Sequence, residues 1–193
     1  MKRILQRLTA PLLVLGLSTA ALPLQAQNEP EPDTSILSDS LNYDDQTKES
    51  VFTGSVILTR GTLTLMSDQL TISQDEQGNQ RGLATVSQRP RVNIRQENPE
   101  NFELITADGL QAIYSGQSDE IELIGQAVVK RYICGELIDT MQGERIIYDQ
   151  KTSTYKAFGG AQSPTRDGRV RSVSRPRSKV DAAIAQCQRK STN

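Results

Sequence analysis

FTGSVILTRGTLTLMSDQLTI, residues Phe52 to Ile72, carries only two charged side chains, Arg60 and Asp68. Its apolar residues recur at every second position. Val56 and Leu58 share one side, and Leu63 and Leu65 share a side after the Arg60-Gly61 turn. Successive side chains of an extended strand point to opposite faces, so a period of two marks a strand with one face buried. Gly54 falls inside this pattern, where glycine marks a bulge, a bend or a close backbone approach.

The same period returns at Leu70/Ile72, Val92/Ile94 and Ile121/Leu123, with Glu120 and Glu122 pointing the other way. Turn signals separate the runs: Gln77-Gly78-Asn79, Asn98-Pro99, Ser115-Gly116-Gln117 and Asp167-Gly168. Helical spacing is confined to Lys179–Arg189, through Val180, Ala183, Ile184 and Cys187. Short strands at regular intervals predict an all-β sandwich, barrel or solenoid.

A repeat sharpens this reading. SDSLNYDDQTKESVFTGSVIL from Ser38 aligns with ADGLQAIYSGQSDEIELIGQAVV from Ala107 with a gap of two, matching Asp39 to Asp108, Leu41 to Leu110, Gly54 to Gly125 and Val56 to Ala127. SDQLTI at Ser67 and GERIIYD at Gly143 follow as second markers, and TYKAFGG at Thr154 restarts the unit. Repetition of a short β unit implies stacking, each unit burying a face that its neighbour completes.

The chain has 193 residues, 36% of them hydrophobic, which suffices for one domain with a modest core. It contains no histidine, which removes Ser-His-Asp triads and the commonest metal ligand. Residues 1–26 read as a secretory signal peptide: Lys2, Arg3 and Arg7 precede an apolar run broken by Pro11 and Pro23, with Ala26 at the cleavage point. The uninterrupted part of that run is shorter than the ~20 residues a membrane span needs. The predicted organisation is a signal peptide over 1–26, a polar linker over 27–35, a β domain over 36–175 and a basic tail over 176–193. From Arg166 to Lys190, eight basic side chains face only Asp167 and Asp181.

The acids offer little for chemistry. Asp44/Asp45, Asp75/Glu76 and Asp119/Glu120 are the candidate carboxylate pairs, but a glycosidase needs two held apart across a cleft, and these sit in turn-like sequence. No EF-hand spacing, G-x-G-x-x-G or Walker pattern is present, so no metal, cofactor or nucleic-acid site is expected. Cys134 and Cys187 are the only cysteines. In an oxidising compartment an even count fits one disulfide, with two buried thiols as the alternative. The aliphatic, aromatic-poor interior suits acyl chains, as it would an ordinary packed core.

SDSLNYD, VFTGSVILTRGTLTLMSDQLTI, ADGLQAIY, LIGQAVV and GERIIYD, in that order after a signal peptide, resemble the LptA-like (OstA-like) family of periplasmic lipopolysaccharide transport proteins. GLATVSQRPRVNIRQ is similar to that family's next hairpin, and GRVRSVSRPR to a closing strand some members carry. The resemblance spans about Ile36 to Ala161. It implies a twisted open β-jellyroll in the periplasm whose groove shields lipid A acyl chains, without catalysis or cofactors. Groove-facing residues would be Ile36, Val56, Leu58, Leu63, Leu65, Leu70, Ile72, Val92, Ile94, Leu123 and Val129. It further implies edge-strand pairing with a bitopic inner-membrane Lpt component and an outer-membrane Lpt translocon, and head-to-tail self-association. The edges would be a first strand near Ile36–Tyr43, with Leu41, and a last strand near Arg169–Val173, with Arg169, Val170 and Arg171. Two other readings stay open at this point: an anchored inner-membrane component of the same pathway, and a carboxylate-based periplasmic glycan hydrolase.

Overall fold

A computed structural model describes residues 32–191; the expected signal peptide and most of the polar linker lie outside them. Twelve antiparallel strands follow in order: β1 (Thr34–Leu37), β2 (Ser40–Asp44), β3 (Glu49–Arg60), β4 (Leu63–Gln74), β5 (Gln80–Thr85), β6 (Val92–Asn98), β7 (Glu103–Gly109), β8 (Gln111–Ser115), β9 (Glu120–Ile133), β10 (Glu136–Asp149), β11 (Thr154–Phe158) and β12 (Arg171–Ser174). A helix, α1 (Arg177–Ser191), closes the described chain, in the stretch whose spacing predicted one. Among the described residues no helix is long and apolar enough to cross a membrane.

The strands are not uniformly short. β3, β4, β9 and β10 run for 12 to 14 residues, and each pairs with different neighbours at its two ends. One half of each builds a layer in the order β1-β3-β4-β6-β7-β9-β10-β12. The other half builds a second layer in the order β2-β3-β4-β5-β8-β9-β10-β11. The result is an all-β jellyroll folded along a line of bends.

Those bends explain why the sequence looked like shorter strands. Each turn-like interruption inside a long strand is a bulge through which the chain continues. The β3–β4 register shifts between Thr53 and Val56, and the β9–β10 register between Gly143 and Arg145. Gly54 and Ser55 have φ of +83° and +46°, and Gly125 and Gln126 repeat this with +71° and +50°. Glycine takes a positive φ without a Cβ clash, so it stands first at both bends.

The repeat is real, but its register differs from the sequence alignment. The Asp39 amide donates to the carbonyls of Thr53 and Gly54, and the Leu110 amide donates to those of Ile124 and Gly125. Asp39 therefore corresponds to Leu110, not to Asp108, with no gap between the copies. Lys48 and Asp119 also match, at φ +54° and +57° in equivalent turns, and Ser153 at +53° ends a third turn of the same kind. What recurs is backbone geometry, and side-chain identity misled the alignment.

The inner faces of the two layers meet in one core. Val56, Val92 and Ile94 from the first layer are buried against Leu70, Ala84, Ala112, Leu123 and Ile146 from the second.

Candidate functional site

The candidate site is the space between the layers. All eleven residues singled out as groove-facing belong to this one apolar cluster. Val56, Leu70, Val92, Ile94 and Leu123 are buried; Ile36, Leu58, Leu63, Leu65, Ile72 and Val129 are half-buried around them. The cluster runs from β1 at one edge to β10 and β11 near the other, through Met141, Ile146 and Ala157.

A cavity of about 60 Å³ remains between the layers, lined by residues including Leu63, Ile94, Ile105, Ala107, Leu123, Val129, Ile146 and Tyr155.

Several lining residues escaped the sequence reading. Ala84, Ala112 and Ala127 are among the most buried positions, yet alanine barely marks a period-two pattern. Ile146 and Tyr148 do alternate, and that signal could have found them.

Polar groups mark the lip. Alternation along β9 carries Ala127, Val129, Arg131 and Ile133 onto the same face. Arg131 Nε donates to Asp139 Oδ2 at 2.6 Å, and Nη1 reaches Glu103 Oε2 at 3.3 Å. Burial works against the Arg131 charge, but the bonds to Asp139 and Glu103 outweigh it and raise its pKa. Opposite, Tyr148 and Tyr155 stack with centroids 4.5 Å apart. Burial, then the proximity of Tyr148 and Glu103, pushes the Tyr155 phenol up to about 12. The trough is thus apolar inside and polar at its mouth.

A disulfide joins Cys134 to Cys187 with their Cα atoms 5.8 Å apart. It pins α1 beside the β9–β10 turn. There Ala183, Val180 and Ile184 pack on Ile133 and Ile138 as a small second core.

Both sheet edges are open among the described residues. β1 and β2 each pair only with β3, and β11 and β12 only with β10. Leu37, Leu41 and Tyr43 are exposed at the first edge, and Phe158 and Val173 at the last. The closing strand starts later than expected, at Arg171, so Arg169 and Val170 lie outside it. The loop's own bonds hold them off the ladder: Thr165 Oγ1 and Ser163 Oγ donate to the Arg169 carbonyl at 2.6 and 3.1 Å. The first edge is likewise two strands, interrupted at Ser38-Asp39, not one.

The acidic pairs are occupied with turn structure. Asp44 accepts the amides of Gln46 and Thr47, and Asp75 those of Gln77 and Asn79. Asp45 holds Lys48 and Tyr43, and Asp119 accepts from the Gln150 amide side chain. These bonds lower the carboxyl pKa of Asp44, Asp45 and Asp75, the reverse of what a general acid requires. Among the described residues no three potential ligands gather around a metal-sized space.

The chain is thus a two-layered β-jellyroll with an apolar interior, polar groups at its margin and two open sheet edges. The chain belongs to the family described as LptA/(LptD N-terminal domain) LPS transport protein, whose profile matches residues 35–154. It is similar to the lipopolysaccharide export system protein LptH of Pseudomonas aeruginosa, with 26% identity over 175 residues, covering 89% of this chain and 91% of the relative. The crystal structure of LptH, described as the LptA-homologous periplasmic component of the lipopolysaccharide transport device of that organism, superimposes with a TM-score of 0.61. The identity is 26%, over 75% of this chain and 96% of the other. These relatives are transport proteins, not enzymes.

Proposed function

We propose that this protein is a periplasmic lipopolysaccharide carrier that shields acyl chains in the trough and hands the lipid across the periplasm within an Lpt assembly. The observation that carries the reading is the uninterrupted apolar lining from Ile36 on β1 to Ala157 on β11, bounded by polar lips. Acyl chains need dry aliphatic contact and little direction, which Val, Leu, Ile and Ala provide. Opening about the bulged strands would admit them, and the headgroup would stay at the mouth.

The unpaired edges serve assembly. An open edge presents a row of N–H and C=O groups to an incoming strand. The first edge carries Asp44 on β2, and the last carries Arg171 on β12. Pairing the last edge of one molecule with the first edge of another is heterologous, and a heterologous contact that does not close extends into a filament. The same geometry serves a bitopic inner-membrane partner at one end and a translocon at the other.

Photo-crosslinkers on the two faces test the trough. Probes at Leu65 and Leu123 are expected to capture lipopolysaccharide, and probes at Thr59, Thr64 and Glu122 are not. Equal labelling of both sets would remove the reading.

A further inference from the structure

The outer face of the first layer holds a second concavity, of about 400 Å³, on the side away from the trough. Its floor is Met66 on β4, Asn93 on β6, Asp108 on β7 and Lys130 on β9; its wall is the loop from β5 to β6, through Arg89 and Arg91. Alternation puts Met66 and Lys130 on the face opposite Leu65 and Val129.

The wall is held rigidly. Asp68 Oδ2 accepts the backbone amides of Ser87, Gln88 and Arg89 at 2.7, 2.5 and 2.8 Å, and Asp68 Oδ1 pairs with Arg89 Nε at 3.4 Å. Arg89 is thereby balanced. Arg91 has no ion-pair partner among the described residues; its Nη1 donates to the Gln126 carbonyl at 3.5 Å. Lys130 is half-buried and has no hydrogen-bond or ion-pair partner among the described residues. Arg91 and Lys130 line the same concavity, with Asp108 as the one acidic side chain in its lining, so the lining carries an excess of positive charge that favours an anion.

The rest of the lining narrows the ligand. Asn93 Nδ2 donates to Asp108 Oδ1 at 2.8 Å, leaving the second carboxylate oxygen as an acceptor. A carboxylate repels a bare phosphate but accepts a hydroxyl. Met66 and the exposed Pro90 give apolar surface for the C–H face of a ring. The space is larger than a phosphate alone requires. From these groups we infer that the outer concavity is a binding site for a phosphorylated sugar, with Arg91 and Lys130 on the phosphate and Asp108 and Asn93 on ring hydroxyls. None of its lining residues belongs to the trough cluster.

The probe is glucose 6-phosphate, titrated into the full mature protein and followed by amide shifts in residues 87–93 and 128–131. Saturable shifts are expected there, and glucose or inorganic phosphate at the same concentrations should bind much more weakly. Arg91→Gln and Lys130→Gln, whose side chains are not part of the core, should each weaken binding about ten-fold with an unchanged melting temperature. Shifts that do not saturate, that glucose reproduces, or that both variants retain would overturn the site. Displacement by intact but not dephosphorylated lipopolysaccharide would identify the natural source as a lipid headgroup; failure of both to displace would identify a free sugar phosphate.

Discussion

Gly54 lies directly beneath the carboxylate of Asp39, so a Cβ placed on Gly54 would fall on Asp39 Oδ2. The two residues belong to different sides of the β2–β3 hairpin and meet where β3 leaves one layer for the other. The covering side chain sits on the bend itself, so the bend leaves no room for a side chain at position 54. Leu110 covers Gly125 in the same way in the second copy.

Gly54→Ala combines a left-handed backbone, at φ +83°, with this overlap. The backbone part alone costs about 1–2 kcal/mol, so a loss of several degrees in melting temperature is expected. Gly135→Ala is the control, since Gly135 has φ +80° and nothing within 4 Å of its would-be Cβ. Pairing Gly54→Ala with Asp39→Ala should recover the steric part and leave the backbone part. Thermal unfolding of these three variants and of Asp39→Ala alone separates the two terms.

Cys134 and Cys187 are 53 residues apart in sequence. Closing a loop of that length contributes at most ~4 kcal/mol on chain-entropy grounds. Val180, Ala183 and Ile184 add a small apolar contact between α1 and the sheet. Reduction, or Cys187→Ser, should therefore release the helix while the trough stays folded. Hydrogen exchange is expected to accelerate in residues 177–189 and remain slow in β4 and β9. A helix that keeps its protection after reduction would show that the small second core suffices.

Amides of Arg89, Gln88 and Ser87, in that order of effect, lower the Asp68 pKa, and the Arg89 guanidinium adds to them. A carboxyl depressed in the folded state contributes stability above its unfolded pKa, near ~3.9, and loses it as pH falls through the folded value. Melting temperature should thus fall in acid more steeply for the natural protein than for Asp68→Asn. The variant should begin lower at neutral pH and show faster amide exchange at Ser87, Gln88 and Arg89. Parallel acid curves for the two proteins would remove Asp68 as the cause.

Leu41 and Val173 lie on opposite open edges, 57% and 45% exposed, so neither supports the core. Lysine on an edge strand discourages strand addition. Leu41→Lys and Val173→Lys are expected to shift a concentration-dependent oligomer toward monomer without lowering the melting temperature. High salt should weaken what remains, because Asp44 and Arg171 mark edges of opposite charge. Light scattering over a wide concentration range reads both effects; a natural protein that stays monomeric and fails to pair with either Lpt partner would rule out edge assembly.

The alternation of Val56, Leu58, Leu63 and Leu65 was enough to set the buried face. The period is two, and any other register would have put that face in water. The same reasoning picked out residues that the structure gathers into one apolar cluster, and placed the helix near Lys179–Arg189. Local pattern determined these because each depends only on neighbours within one strand or turn.

Partner choice was not local. That β3, β4, β9 and β10 each serve two layers depends on bulges, and a bulge looks like a strand end until both partners are known. The repeat register required the shared hydrogen bonds of Asp39 and Leu110, since geometry is repeated there while a carboxylate has become a leucine. The late start of β12 follows from Thr165 and Ser163 capturing the Arg169 carbonyl, a competition invisible in the alternation of Arg169, Val170 and Arg171. The convergence of Arg91 and Lys130 belongs to the same class: 39 residues separate them in sequence, and only the packing of β6, β7 and β9 brings them to one concavity. Sequence set which faces are apolar, because burial is decided residue by residue; tertiary structure decided which strands share them, because pairing is decided between segments far apart in the chain.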